Sequence, residues 1–171
     1  SLVCRITCRK SFQHRYIQPV QANCWSWPEV RRVFIGIPVD RPVQHQINEL
    51  LVPISSSHKG IRWVPEQNRH LTLAFLGDIA ASVVENLVRS MAQTYQGVLG
   101  FQTGYATLVR FPGGSGNIIA LVLKTDEALA CLSRTTQQLV SENGLVPERK
   151  PFRPHITLGR IRDASLFNTK L

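Results

Sequence analysis

Two tetrapeptides of one pattern, His70-Leu71-Thr72-Leu73 and His155-Ile156-Thr157-Leu158, recur in this chain behind matching stretches of sequence. Ahead of the first, Val33 to Val39 reads as a buried strand ended by proline and turn residues. Val43, Ile47, Leu50 and Leu51 then fall at helical spacing within residues 42–52. Ser55 to Gly60 reads as a loop, Ile61 to Val64 as a short strand, and Leu71 to Leu76 as a strand closed by Gly77-Asp78. Ahead of the second, Ile118 to Lys124 reads as a strand, and Asp126 caps a helix running to about Asn143 with Gly144 at its end. Ile156 to Leu158 belongs to a last strand. His70 follows Val33 by 37 positions, and His155 follows Ile118 by the same 37. Such a strand–helix–strand repeat predicts an α+β fold built from a duplicated lobe, its two copies facing one another. Between the copies, residues 80–96 suit a helix with Val83, Val84, Leu87, Val88 and Met91 on one face, and Phe101 to Phe111 is strand material broken by Gly104. Phe111 to Asn117 is a glycine-rich loop.

Side chains alternate between the faces of a strand. Leu71, Leu73 and Phe75 are therefore expected in a core, with His70, Thr72 and Ala74 on the other face. In the second motif Ile156 and Leu158 point inward, and His155, Thr157 and Gly159 outward. Each strand offers one imidazole and one hydroxyl together, and the small Ala74 and Gly159 are expected to leave room beside them. Two imidazoles and two hydroxyls on one cleft suit an in-line displacement at phosphorus. One neutral imidazole takes a proton from water, and the other, as imidazolium, protonates the departing ribose oxygen. Threonine hydroxyls can donate to the non-bridging oxygens, where charge gathers. A cyclic phosphate fits this apparatus, since its leaving oxygen stays tethered and no metal is required.

Two histidines could instead ligate zinc or iron, but neither motif contains the carboxylate that commonly completes such a site, so none is expected here. Asp78 is read as a turn residue. Arg153 shares the parity of His155 and is a candidate phosphate ligand. Arg160 has the opposite parity, at a strand end where twist can redirect it. Lys150 and Arg149 extend the basic rim. Phe34 is a candidate for stacking a nucleobase, because Val33 and Ile35 already supply the opposite face; Trp63 is assigned to packing. Gly113-Gly114-Ser115-Gly116 lacks the Lys-Ser/Thr of a phosphate-binding loop.

The formal net charge is +9, and Arg5, Arg9, Lys10 and Arg15 supply four of those charges within residues 1–28, which hold no Asp or Glu. About +5 remains on the body, which suits a polyanionic partner, nucleic acid being the commonest, but equally a merely basic surface; the RNA partner is expected from the phosphate chemistry above. Of the four cysteines, Cys4, Cys8 and Cys24 lie near the N-terminus and only Cys131 in the body. That distribution is not a disulfide framework and suits a reducing, cytoplasmic setting. The spacing of Cys4, Cys8 and Cys24 with His14 fits no standard zinc module. No run of 18 apolar residues is present, so no membrane span is expected, and the first residues lack a continuous apolar signal segment. Residues 1–30 are expected to be a disordered extension, and 31–171 the domain.

At Arg32 to Pro38, Trp63-Val64, Asn68 to Gly77 and Pro151 to Arg160 the chain resembles the 2H phosphoesterase superfamily, and within it the bacterial RNA 2′,3′-cyclic phosphodiesterases, also known as 2′-5′ RNA ligase-like proteins. The resemblance covers about residues 31–162. It implies a bilobal α+β fold with pseudo-twofold symmetry: two antiparallel sheets facing a central cleft, helices outside. It implies hydrolysis of an RNA 2′,3′-cyclic phosphate to a 2′-phosphate without a cofactor, by a protein expected to be a monomer. His70 would be the proton donor, His155 the acceptor, and Thr72 and Thr157 phosphate contacts. Members start close to the first strand, whereas here about 30 residues precede it. Two other readings stay open: a ligase-like module that binds RNA ends, and a phosphodiesterase for a small cyclic nucleotide or a 2′-5′ oligonucleotide.

Overall fold

The computed structural model describes residues 30–57, 60–96, 103–113 and 116–162. The readings placed on residues 1–29, the N-terminal cysteines among them, lie outside the described residues, as do those on Phe101, Gly114 and Ser115. Among the described residues six strands and three helices follow one another as β1 (Val30–Pro38), α1 (Arg41–Ser57), β2 (Ile61–Trp63), β3 (His70–Ala80), α2 (Ala81–Thr94), β4 (Tyr105–Phe111), β5 (Ile118–Leu123), α3 (Glu127–Glu142) and β6 (His155–Ile161). A 3-10 turn, Glu66–Asn68, stands between β2 and β3. The fold class is α+β. The strands join in the order β1-β3-β6-β5-β4, with β2 also on β6. The β2–β6, β3–β6, β5–β6 and β4–β5 pairs are antiparallel.

The described residues divide into two compact units. One holds β1 as far as Ile37, β3 from Thr72 onward, α2 and α3. The other holds α1, β2, the 3-10 turn, His70, Leu71, β4, β5 and β6. The helix after β1 and the helix after β5 each fall in the unit that does not hold the strand before it, so each unit draws on both halves of the chain.

The first unit is built on apolar periodicity. Val84, Leu87 and Met91 form the buried stripe of α2, and Val33, Ile79 and Val84 cluster with Leu76, Val83, Val88 and Leu145 packed against them. Asp126 caps α3 as its spacing predicts, its Oδ1 accepting from Leu129 N at 2.9 Å. Gly144 takes φ +74 past the helix end, where the Leu145 N–H reaches Val140 O at 3.1 Å. The pattern of β3 departs from strict alternation. Leu71, Leu73 and Ala74 are buried, whereas Phe75 is 44% exposed and carries the Arg32 guanidinium 5.1 Å from its ring centre. The strand also runs on through Gly77, at φ +70, to Ala80, instead of stopping at Leu76. Leu73 and Ala74, two consecutive residues, are thus both buried, while Phe75 is not.

In the second unit α1 is longer than its apolar spacing suggests. Asp40 caps it through Oδ1, which accepts from Val43 N at 3.1 Å, and it continues past Pro53 to Ser57, with Ser55 Oγ donating to Val52 O at 3.1 Å. Its inward face is Gln44, Ile47 and Leu51, while Val43 and Leu50 turn partly to solvent. On β6 the alternation also breaks. Ile119 pairs with Gly159 but Ala120 pairs with Thr157, so a bulge at Leu158 shifts the register by one residue. Before the bulge Ile156 and Leu158 are buried; after it Gly159 and Ile161 are buried and Arg160 is exposed.

Gly159 does not leave open space. A Cβ there would lie 2.7 Å from Ile61 Cγ2 and 3.0 Å from Trp63 Cε3. The missing side chain lets β2 lay Ile61 and Trp63 across β6. Ala74, at 1% exposure, is likewise enclosed. Replacing Gly159 with Ala should therefore cost about 1–3 kcal/mol in a denaturant melt. Leu73→Ala should cost about 2–5 kcal/mol, and Phe75→Ala under about 1 kcal/mol. Equal losses at Leu73 and Phe75 would contradict the register described here.

Candidate functional site

The site starts from one antiparallel pair, Leu71 of β3 opposite Ile156 of β6. These are the second residues of the two His-x-Thr motifs, each 4% exposed. Because they share the buried face, the flanking residues share the other one. His70 on β3 and His155 and Thr157 on β6 accordingly lie on one face, all half-buried. Antiparallel register carries His70 to the position across from Thr157. Thr72, two residues along β3 from His70, is half-buried on the same side of its own strand.

Each imidazole is held by the chain leading into its strand. His70 Nδ1–H donates to Asn68 O at 2.7 Å, and His155 Nδ1–H donates to Arg153 O at 2.8 Å. A carbonyl oxygen has no proton to give, so each Nδ1 must carry one. In both neutral rings the basic nitrogen is therefore Nε2. The two motifs repeat this geometry as well as their sequence: in each, the acceptor is the carbonyl two residues upstream.

The surroundings of His155 include a residue at the boundary between strand and glycine-rich loop. Phe111, the last residue of β4, stacks on the His155 ring with centroids 4.1 Å apart and planes 22° apart. Its partner across the ladder is Ile118, which pairs in turn with Arg160, so the register alone puts Phe111 on the histidine face. Nothing in the local sequence carries this contact, because it depends on the order β6-β5-β4 and on the bulge. The Arg153 guanidinium lies 4.8 Å from the centre of the same Phe111 ring, and its NH1 donates to Pro112 O at 3.3 Å. Arg153 is exposed beside His155, as parity suggests, and in this conformation it is folded over Phe111.

Arg160 is a second difference. Simple parity puts it with Ile156 and Leu158, but the bulge turns it to the face of His155 and Thr157. Arg62 of β2 pairs directly with Arg160, and both are exposed. Phe34 is half-buried between Val33 and Ile35, at 0% and 1% exposure, so its alternation is as expected. It belongs to the first compact unit with Thr72, whereas His70, His155, Thr157 and Arg153 belong to the second. Trp63 covers Gly159, in keeping with a packing role. Among the described residues no group of three or more His, Cys, Asp or Glu side chains is gathered as a metal site. No helix among them is long and apolar enough to cross a membrane.

Comparison with known proteins gives a likeness of sequence and of fold. Residues 37–113, which include the first His-x-Thr strand, match the family model described as LigT like Phosphoesterase. A Thermotoga maritima protein named RNA 2′,3′-cyclic phosphodiesterase is 29% identical over 134 residues, 77% of this chain and 70% of its own length. One of the same name from Geobacillus stearothermophilus is 31% identical over 128 residues, 74% of this chain and 41% of that longer protein. The crystal structure of E. coli LigT complexed with 3′-AMP shares the fold, with a TM-score of 0.60 at 24% identity over 77% of this chain and 74% of LigT. Over residues 37–113 the chain is thus similar to the LigT-like phosphoesterases, with a fold shared by LigT itself.

Proposed function

We propose that the chain hydrolyses 2′,3′-cyclic phosphate ends of RNA to 2′-phosphomonoesters, by two-histidine acid–base chemistry that uses no metal. The observation that carries this reading is the matched pair of imidazoles on one face of two paired strands, each with Nδ1 tied to backbone and Nε2 left as its basic nitrogen. The names of the relatives supply the substrate class, and the net charge of +9 suits a polyanion.

In this reaction water attacks phosphorus in line with the P–O3′ bond. His155 Nε2 accepts the water proton as the new P–O bond forms. The P–O3′ bond breaks, and O3′ takes its proton from the Nε2–H of the His70 imidazolium. The product keeps the phosphate on O2′, and the proton inventory of the two rings is exchanged. Thr72 and Thr157 donate to the non-bridging oxygens, and Arg153 adds charge once it leaves Phe111 for the phosphate. Phe34 stacks the terminal base. A fold of matching copies is part of the same proposal; the pairing of the equivalent residues Leu71 and Ile156 supports the duplication.

Incubation in EDTA with an RNA ending in a 2′,3′-cyclic phosphate tests the activity, with a nucleoside cyclic phosphate alongside. The expected product is a 2′-phosphate from the RNA, undiminished by EDTA. His70→Ala and His155→Ala should each lower kcat by at least about 10²-fold while RNA binding changes little. Turnover equal to the parent protein in both variants would end the reading, and binding with no turnover in the parent would favour an RNA-end-binding module instead. Long-range proton–nitrogen NMR gives a separate expectation: above the titration range of the rings, His70 and His155 both hold their proton on Nδ1. A proton on Nε2 in either would contradict the acid–base assignment.

A further inference from the structure

Arg69 immediately precedes the first catalytic candidate, yet its side chain is buried, at 6% exposure. A guanidinium in such a place must find partners for its donors or pay for desolvation. Burial pulls the Arg69 pKa below its ordinary value, and the nearby Glu66 carboxylate opposes that shift. Its partners form a compact set. Nε donates to Val64 O at 3.2 Å, and NH1 donates to Gln44 Oε1 at 3.0 Å and to Asn48 Oδ1 at 2.8 Å. The same two α1 side chains hold the 3-10 turn from the other side. Gln44 Nε2 donates to Glu66 O at 2.8 Å, and Asn48 Nδ2 donates to Glu66 Oε1 at 2.6 Å.

This network encloses the three residues that lead into β3. Within the turn, Asn68 N–H donates to Pro65 O at 2.8 Å and Arg69 N–H to Glu66 O at 3.0 Å. The Asn68 carbonyl then receives His70 Nδ1–H at 2.7 Å. Asn68 Oδ1 is buried without a hydrogen-bond partner, so that oxygen does not anchor the turn. The position of the Asn68 carbonyl is set by what clamps its neighbours, Glu66 and Arg69.

We propose that Arg69 is a positioning residue for His70: it bolts the Glu66–Asn68 turn to α1 and so fixes the carbonyl that selects the Nδ1–H form of the ring. The consequence for turnover rests on the functional reading above, whereas the effect on the ring does not. His155 has the same kind of carbonyl contact but takes it from Arg153, outside this network, and serves as an internal control. A lysine does not reproduce the function, because an ammonium lacks the planar fork that spans Val64, Gln44 and Asn48.

The experiment compares Arg69→Met and Asn48→Ala with the parent protein, reading the tautomer of each histidine by long-range proton–nitrogen NMR and the kinetics with cyclic-phosphate RNA. The expected result is a mixture of tautomers at His70 with His155 unchanged. It is accompanied by a fall in kcat of about tenfold or more in Arg69→Met, and a smaller fall in Asn48→Ala, with KM within about twofold. If Arg69→Met does not fold, Asn48→Ala decides by the same two readouts. A His70 ring that keeps Nδ1–H in the folded variants overturns the proposal, as does an equal disturbance of both rings. Should His70→Ala retain full turnover, the functional reading falls while the tautomer measurement still decides the role of Arg69.

Discussion

The pairing of Leu71 with Ile156 is the contact on which the candidate site depends. Each is the apolar residue between the His and Thr of its motif, and each is buried. A backbone pair between such residues fixes the direction, the register and the exposed face of both strands at once. A slip of one residue would turn a histidine strand over and bury its imidazole. The apolar members of the motifs are therefore as important to the chemistry as the polar ones, since they hold the rings on a common face.

From that pair outward, two different devices hold two similar rings. Both imidazoles donate Nδ1–H to the carbonyl two residues back, which is a property of the local chain and repeats with the sequence. The further supports of the two rings do not repeat. Before His70 the support is a buried network of Arg69, Gln44, Asn48 and Glu66. Beside His155 it is an aromatic stack on Phe111, with Arg153 laid over the same ring. Similar first contacts with unlike surroundings give the two rings nearly the same hold on Nδ1 in different environments, as the proposed division into an acid and a base would require.

Much of this was legible in the sequence because short-range rules govern it. The two histidine strands, the Asp126 cap, the Gly144 stop and the stripe of α2 all follow from periodicity and capping chemistry over a few residues. The misreadings come where a distant partner overrides the local rule. Apolar spacing in α1 favours Val43 and Leu50, but the helix turns Gln44 inward because buried Arg69 and the Glu66 carbonyl need its amide. Phe75 follows the alternation of Leu71 and Leu73 in sequence yet is largely exposed under the Arg32 guanidinium, while the small Ala74 is buried. Phe111 looks like the edge of a glycine-rich loop, and only the ladder through Ile118 brings it to His155. Gly159 looks like open space beside the site, and Trp63 and Ile61 fill it.

The bulge at Leu158 divides β6 into two reading frames. Ahead of it, odd-numbered positions carry the polar groups; behind it, even-numbered ones do. Were Leu158 a regular ladder residue instead of the bulge, strict alternation would turn the Arg160 side chain inward and Ile161 outward beside Thr157. A single irregular residue therefore lets one short strand present an imidazole, a hydroxyl and a permanent cation to the same side, three groups that strict alternation over His155 to Arg160 could never align.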